Sequence, residues 1–141
     1  YQVETLVFGQ AFSRAITPER IIVGVESPEI PLDANYVHIL EQFSCPILLM
    51  DYESAEFTKI SINAFLAASI STTNSLNEIA KSVGAIWDSV KQALQLDRRI
   101  GPYAYLKPGL GISGGNIERD LQTLDELGFH RLFITIKKTN T

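Results

Sequence analysis

Three polar side chains near the start of a long predicted helix have the spacing needed to act at one point. Glu56, Lys59 and Asn63 are spaced i, i+3 and i+7, so they share one helix face. An ammonium and an amide one turn apart, as at Lys59 and Asn63, can both point at one spot. The alternatives are structural: Lys59 and Glu56 form a surface ion pair, and Asn63 bonds a neighbouring loop.

The second candidate feature is a glycine-rich loop from Arg98 to Asn116 that runs into a predicted helix. Its glycines at 109, 111, 114 and 115 allow backbone N–H groups to approach an anion closely. The loop lacks the setting of the dinucleotide fingerprint G-x-G-x-x-G, because no strand precedes it and no acidic residue follows at the right distance. Taken alone, it is equally consistent with an irregular connection between helices.

One element must position the polar face. The residues from Tyr52 to Val83 contain no proline or glycine and predict a single helix, capped by Asp51 and stopped at Gly84. Bulky apolar residues lie on several of its faces among many short side chains, whereas a surface helix shows one apolar stripe. We therefore expect the helix to be enclosed, either by its own domain or by a second copy of the chain.

The flanking segments carry the signals of shorter elements. The patterns predict strands at Arg20–Val25, Cys45–Met50 and Arg131–Lys137, and helices at Leu32–Phe43, Ala85–Leu96 and Glu118–Leu127. Asp33 is the expected cap of the first of these helices. The early strand, helix and strand form a βαβ unit, which favours parallel pairing. The fold class is α+β, mainly α, with a βαβ piece over 1–50, a helical domain over 51–128 and a terminal strand or tail over 129–141.

Composition limits the classes of function. The hydrophobic fraction of 45% fits one globular unit with a core, and a net charge of −4 argues against nucleic acid and anionic membranes as partners. No apolar run is long enough to span a bilayer and no signal peptide opens the chain, so we expect a soluble cytoplasmic protein. The strand-like start at Tyr1 suggests a piece of something longer.

The metal-binding and thiol residues are few. Two histidines, His38 and His130, are too scattered for a zinc site, so no metal is expected. The lone cysteine, Cys45, lies in an apolar run, and we expect a small buried hydrophobe there. Trp87 lies at core spacing in its helix, which favours packing over a cofactor contact.

Several separated motifs, in order and in register, resemble the middle of the UDP-glucose/GDP-mannose dehydrogenase family. The matching segments are Val3–Leu6, Gly9, Pro18–Gly24, Glu56–Lys59, Asn63–Ala67, Asn74, Asp97–Gly101, Pro108–Asn116 and Asp120. The resemblance extends from Glu4 to about Leu124. It implies a helical domain like the C-terminal domain of 6-phosphogluconate dehydrogenase, at the centre of a homodimer formed through the long helix.

The resemblance also implies an activity. The family oxidises the C6 hydroxyl of a nucleotide sugar twice, using NAD and a covalent thiohemiacetal on a cysteine. The matched residues would then have these roles: Glu4 in acid-base and water handling, Lys59 and Asn63 on the sugar oxygens and the oxyanion, Asp120 in activating water, Arg99 on the nucleotide sugar of the neighbouring subunit, and Gly109, Gly111 and Gly114 in the substrate loop. For Asp120 the alternative is a helix-stabilising acidic residue in the first turn, and for Arg99 a solvated charge beside Arg98.

Two departures from the family pattern limit that inference. Asn116 stands at the position of the nucleophilic cysteine, and an amide cannot form a thiohemiacetal. By the resemblance, the βαβ piece over 1–50 is a remnant of the family's NAD-binding domain. The NAD site itself and the C-terminal nucleotide domain are missing from these residues, so we expect the chain alone to be inactive. Three hypotheses follow: the central domain of a nucleotide-sugar 6-dehydrogenase, a non-catalytic dimerisation scaffold, or a relative that stops at the aldehyde.

Overall fold

A computed structural model of the chain describes residues 9–109, 111, 115–128, 135, 136 and 138. The elements are α1 (Ala11–Ile16), β1 (Ile21–Val25), α2 (Ala34–Glu41), β2 (Ile47–Asp51), α3 (Tyr52–Ser82), α4 (Trp87–Leu96) and α5 (Gly115–Glu126). The predicted class, mainly helical with a long central helix after a small βαβ piece, is confirmed. The chain divides into two compact units, Tyr1–Ser61 and Ile62–Thr141, each described below by itself.

The first unit is built on a parallel pair of strands. β1 pairs with β2 from Ile21 opposite Ile47 to Val25 opposite Asp51, with α2 as the crossover between them. This confirms the βαβ prediction, because parallel strands need a connection long enough for a helix. α2 begins where Asp33 was expected to cap it, since this carboxylate accepts hydrogen bonds from the N–H groups of Asn35 and Tyr36.

Both faces of β1 are covered. Ile21 and Val23 pack with Leu40 of α2 on one face, and Ile22 packs with Ala55 and Met50 on the other. This burial on both sides explains why the strand reads as a continuous apolar run instead of an alternating one. Cys45 packs at the edge of the Ile21 cluster, as expected of a small hydrophobe, but it is half-buried and not fully buried.

α1 was not predicted. It is six residues long, has no side-chain cap and contains no buried residue. Phe12 within it is 79% exposed. Phe12 and Ile16 lie one turn apart and Pro18 follows the helix, but six residues are too few for a helical period to be recognised in the sequence.

α3 confirms the predicted long helix to within one residue. It spans 31 residues, or about 46 Å at the usual rise per residue. Asp51 accepts a hydrogen bond from the N–H of Ser54 at 2.7 Å, and this contact with Ser54 lowers the pKa of Asp51. At the other end Gly84 adopts a φ of +75°, and the N–H of Ala85 reaches the carbonyl of Ala80 at 2.8 Å, which is a Schellman closure.

The expected enclosure of α3 is not found within the described residues. Its short side chains Ala64, Ala67 and Ala80 are buried, but Phe65 is 75% and Ile79 56% exposed. The described residues therefore do not enclose α3 in the way that the sequence pattern predicts. Enclosure of α3 by a second copy of the chain remains a prediction.

The second unit packs α5 and the end of the described chain against α3. Ala67, Leu121 and Ile136 form its buried cluster, with Ala68 and Ile117 against it. Thr135, Ile136 and Lys138 are helical, so the predicted strand Arg131–Lys137 is wrong at residues 135 and 136, and its other residues lie outside the described set. Packing of Ile136 in the cluster decides its conformation where the short alternating pattern favoured a strand.

No helix in the described part of the chain is long and apolar enough to cross a membrane.

Candidate functional site

The centre of the candidate site is a buried hydrogen bond between Asn63 and Asp120. The Nδ2 of Asn63 donates to Oδ2 of Asp120 at 2.6 Å, and each residue is only 7% exposed. The two residues lie 57 positions apart in sequence. Because a carboxylate can only accept, the direction of the bond is fixed, and Asn63 must present its amide nitrogen to Asp120.

Local packing explains how the two side chains meet. α5 approaches α3 at Ala67, one turn beyond Asn63, where a small residue allows close contact with Leu121. The second oxygen of Asp120 lies 3.6 Å from Nη2 of Arg119, whose side chain is largely exposed. Asp120 is thus held in place on one oxygen and has a cation near the other, so its carboxylate is positioned as a hydrogen-bond acceptor.

Asn116 lies one turn before Asp120 on α5, so the two share a helix face. Asn116 is exposed where Asp120 is buried. Its amide can donate or accept a hydrogen bond, but its nitrogen lone pair is delocalised and cannot attack a carbonyl. The chemistry available at the start of α5 is therefore binding and proton handling, with no covalent nucleophile at this position.

Three side chains hold the segment that leads into the glycine loop. Thr73 donates to the carbonyl of Tyr105 at 2.6 Å, Trp87 donates to the carbonyl of Leu106 at 3.0 Å, and the N–H of Gly109 donates to Oδ1 of Asn74 at 3.0 Å. Leu106 is buried between these contacts. Backbone groups that would otherwise face solvent are thereby fixed, so the loop starts from a defined position.

Sequence reasoning missed these contacts. Trp87 was expected only to pack, and Thr73 was counted as one short side chain among many. The usable signal was a hydroxyl in a helix that was expected to be enclosed, since a buried hydroxyl needs a partner. Thr73 is 2% exposed.

A cavity of about 570 Å³ lies between α3 and the part of the glycine loop that contains Pro108, Gly109 and Gly111. It is lined by Asn74, Asn77, Glu78, Lys81, Pro108, Gly109 and Gly111. Gly111 has a φ of +97°, a conformation that side chains rarely allow. Of the three glycines that the family resemblance places in the substrate loop, Gly109 and Gly111 therefore line the cavity, and Gly114 lies outside the described residues. Asn74 was named only as part of the family resemblance, and Asn77, Glu78 and Lys81 were not singled out, although the helical spacing of the four residues places them on one face.

The remaining predicted site residues are Lys59, Glu4 and Arg99. Lys59 belongs to the first unit and is half-buried, and no ion pair joins it to the exposed Glu56, so that structural alternative is not realised in the structure. Glu4 lies outside the described residues. Arg99 is exposed after α4 and forms an ion pair with Asp97 at 2.7 Å.

The described residues do not provide a site for NAD. A dinucleotide cradle needs a glycine turn between a parallel strand and the following helix. Glu26 to Asp33, which connects β1 to α2, contains no glycine, and β2 passes directly into α3. No step is therefore assigned to that cofactor. Within the described residues, no cluster of three or more His, Cys, Asp or Glu side chains can hold a metal ion.

Comparison with known proteins decides the family. Residues 53–135 match the family model described as UDP-glucose/GDP-mannose dehydrogenase family, central domain. The chain belongs to this family. The resemblance stated from the sequence motifs is thus confirmed.

Individual members of the UDP-glucose/GDP-mannose dehydrogenase family show the same relationship. The chain is 34% identical over 121 residues to UDP-glucose 6-dehydrogenase TuaD of Bacillus subtilis, covering 86% of this chain and 26% of that protein. It is 35% identical over 127 residues to the rat UDP-glucose 6-dehydrogenase, covering 86% of this chain and 25% of that protein. The chain therefore spans about a quarter of the length of these curated relatives.

A solved structure supports the fold. A UDP-glucose dehydrogenase from the archaeon Pyrobaculum islandicum aligns with a TM-score of 0.80 at 28% identity, over 99% of this chain and 33% of that one. The buried Asn63–Asp120 pair, both of whose members were named from the family motifs, thus lies within the family's central domain.

Proposed function

We propose that the chain is the part of an NAD-dependent nucleotide-sugar 6-dehydrogenase that contributes sugar-binding side chains and the dimer interface. The substrate class is UDP-glucose or a similar UDP- or GDP-sugar, oxidised at C6 to the uronic acid. The observation that carries the proposal is the 2.6 Å hydrogen bond from Asn63 to Asp120. Two polar residues from separate family motifs are buried against each other, at a cost in desolvation that a purely structural helix contact would avoid.

The roles of the side chains follow from their chemistry. Lys59 supplies a cation and Asn63 an amide, both suited to holding a sugar oxygen as negative charge develops on it. Asp120, an acceptor held by Asn63, takes a proton from water. Gly109 and Gly111 line the cavity beside the loop, which we assign to the substrate.

The same proposal includes a homodimer formed through α3. Its support is the exposure of large apolar side chains along that helix, with Phe57 56% and Phe65 75% exposed. Apolar surface of this kind is usually covered by a partner. Sedimentation of the Phe65→Lys variant is expected to show a shift to monomer, whereas Phe12→Lys, on α1, leaves the assembly unchanged. A wild-type protein that stays monomeric at micromolar concentration contradicts this part.

Calorimetry tests substrate binding, using the protein expressed from the complete reading frame that encodes this chain. We expect UDP-glucose or GDP-mannose to bind more tightly than UDP or GDP alone, because the sugar contacts the Asn63 region. Asn63→Ala should weaken binding of the nucleotide sugar and leave that of the free nucleotide unchanged. Absence of binding to every nucleotide sugar contradicts the proposal.

Asn116 favours a second candidate function, a dimerisation scaffold that has lost the chemistry. The two candidates differ in the response to Asn116→Cys in the complete protein, with Asn116→Ser as the control of similar size. Recovery of uronic acid formation with the cysteine variant alone indicates a degraded dehydrogenase, since only a thiolate can carry the covalent intermediate. Continued inactivity together with an intact dimer supports the scaffold. Aldehyde accumulation by the wild type identifies a relative that stops after one oxidation.

A further inference from the structure

Asp97 and Arg99 are joined by several hydrogen bonds just after the end of α4. One carboxylate oxygen of Asp97 accepts from the backbone N–H of Arg99 at 2.9 Å and from its Nε at 3.0 Å. The other accepts from Nη2 of Arg99 at 2.7 Å. The carbonyl of Asp97 also accepts from the N–H groups of Ile100 and Gly101, which closes the turn.

We propose that Asp97 is a positioning residue, which fixes the guanidinium of Arg99 so that its free edge meets two adjacent oxygens of a nucleotide sugar. The inference rests on the proposed function and adds to it a residue to which no role has been given. A guanidinium has five N–H donors. Asp97 engages the Nε and Nη2 side, and this leaves the Nη1 and Nη2 side for a bidentate contact with phosphate oxygens or neighbouring hydroxyls.

The pair contributes little to stability, which is why its geometry points to binding. The side chain of Arg99 is 89% exposed, and ion pairs between exposed groups contribute little to folding. An arginine that is already held in one conformation loses less side-chain entropy when a ligand binds. A double contact to one carboxylate achieves this without burying the charge.

The electrostatics support a contact that persists over the working pH range. The hydrogen bonds from Arg99 lower the pKa of Asp97, and Asp97 in turn raises the pKa of Arg99. Both groups therefore stay charged above the ordinary pKa of an aspartate, and the pair itself gives KM no titration step between about pH 5 and 9.

The test compares Asp97→Asn with Asp88→Asn in the complete protein. Asp88 is an exposed carboxylate in the first turn of the same helix, so both variants remove one negative charge from α4 or its end. The amide introduced by Asp97→Asn retains an oxygen that can accept from the backbone N–H of Arg99, and so keeps the turn, but the paired contact to the guanidinium is lost. The expected result is a KM for the nucleotide sugar, or a Kd measured by calorimetry, that rises about 2- to 10-fold in Asp97→Asn only, with kcat and Tm unchanged.

Combination with Arg99→Ala shows whether Asp97 acts through Arg99. Asp97→Asn should have no further effect in the Arg99→Ala background, because its target is gone. Equal KM values for Asp97→Asn and Asp88→Asn overturn the proposal, as does an undiminished effect of Asp97→Asn without Arg99.

An NMR measurement separates this inference from the proposed function. The Nε–H signal of Arg99 should be protected from exchange in the wild type and in Asp88→Asn, and lose protection in Asp97→Asn. A wild type that binds no nucleotide sugar overturns the proposed function and the ligand assigned to Arg99. An unprotected Nε–H in the wild type instead overturns the positioning by Asp97, whatever the protein binds.

Discussion

The two compact units bury different kinds of side chain. Among the described residues of the first unit, the buried side chains are apolar, as at Ile21, Ile22 and Val23 of β1. In the second, the described residues include four buried polar or charged side chains, Asn63, Ser71, Thr73 and Asp120. Apolar burial is stabilising in proportion to area, whereas a buried polar group gains little even when it is paired.

This difference indicates where function lies. A helix face that needed only to pack would carry alanine or leucine at positions 63 and 73. The second unit instead accepts desolvated polar groups and satisfies each with a specific partner, Asp120 for Asn63 and the Tyr105 carbonyl for Thr73. Such contacts specify one arrangement of α5 and the loop around α3 more than they stabilise it.

The largest expected loss of stability is in the apolar unit. Ile22→Ala removes a side chain that is 1% exposed and contacts Ala55 and Met50. We expect the free energy of unfolding to fall by about 3 kcal/mol, measured by urea denaturation, because a cavity remains. Ile39→Ala is the control, since Ile39 is 58% exposed and should change stability little. Equal effects of the two variants would mean that β1 is not the core of the unit.

The next largest effect concerns the buried polar pair. Asn63→Leu removes the donor to Asp120 and should lower the free energy of unfolding by about 2 kcal/mol, because a buried carboxylate loses its partner. The double variant Asn63→Leu/Asp120→Leu should regain much of that loss while nucleotide-sugar binding stays impaired. Stability and binding that recover together in the double variant would show that the pair has no functional role.

A smaller effect is expected where Thr73 holds the loop. Thr73→Val keeps the shape of the side chain but leaves the carbonyl of Tyr105 without its donor. The free energy of unfolding of Thr73→Val should fall by about 1 kcal/mol. That of Thr73→Ser, which keeps the hydroxyl, should fall less. Amide exchange at Gly109 reports the local change and should accelerate in the valine variant alone. Unchanged exchange there would contradict the role given to Thr73.

The smallest effect is the pH dependence contributed by Asp51 in the first unit. Its folded-state pKa is lowered by the N–H and hydroxyl of Ser54. The stabilisation is therefore fully present above the ordinary aspartate pKa and is lost as pH falls through the lowered value. Asp51→Asn still caps α3 but does not titrate, so its unfolding free energy should decline less between about pH 5 and 2. Glu26→Gln controls for loss of a surface carboxylate, and a matching decline in wild type and Asp51→Asn would refute the assignment.

Local signals explain what the sequence predicted. α3 was found with both ends because Asp51 and Gly84 are chemically suited to starting and stopping a helix, and those preferences act within a few residues. The start of α2 was predicted for the same reason, because Asp33 is chemically suited to capping a helix. The parallel pairing of β1 and β2 followed from the helix between them.

Contacts between distant residues explain what the sequence did not predict. Nothing in the local patterns brings Asn63 to Asp120, and Asp120 was named by the family resemblance alone. The partners of Thr73 and Trp87 are backbone carbonyls, whose positions depend on tertiary structure and leave no trace in residue type. The helical state of Ile136 likewise depends on its packing against Ala67 and Leu121.

Trp87 has a practical consequence, because it is the only tryptophan in the chain. Its indole N–H is bonded to the carbonyl of Leu106, three residues before Gly109. Fluorescence excited in the indole band therefore comes from Trp87 alone, beside the loop segment at Leu106. Indole emission responds to the polarity and hydrogen bonding of its surroundings. Any ligand that shifts this segment changes the spectrum without a dye or an engineered label, so the protein carries its own optical readout of binding.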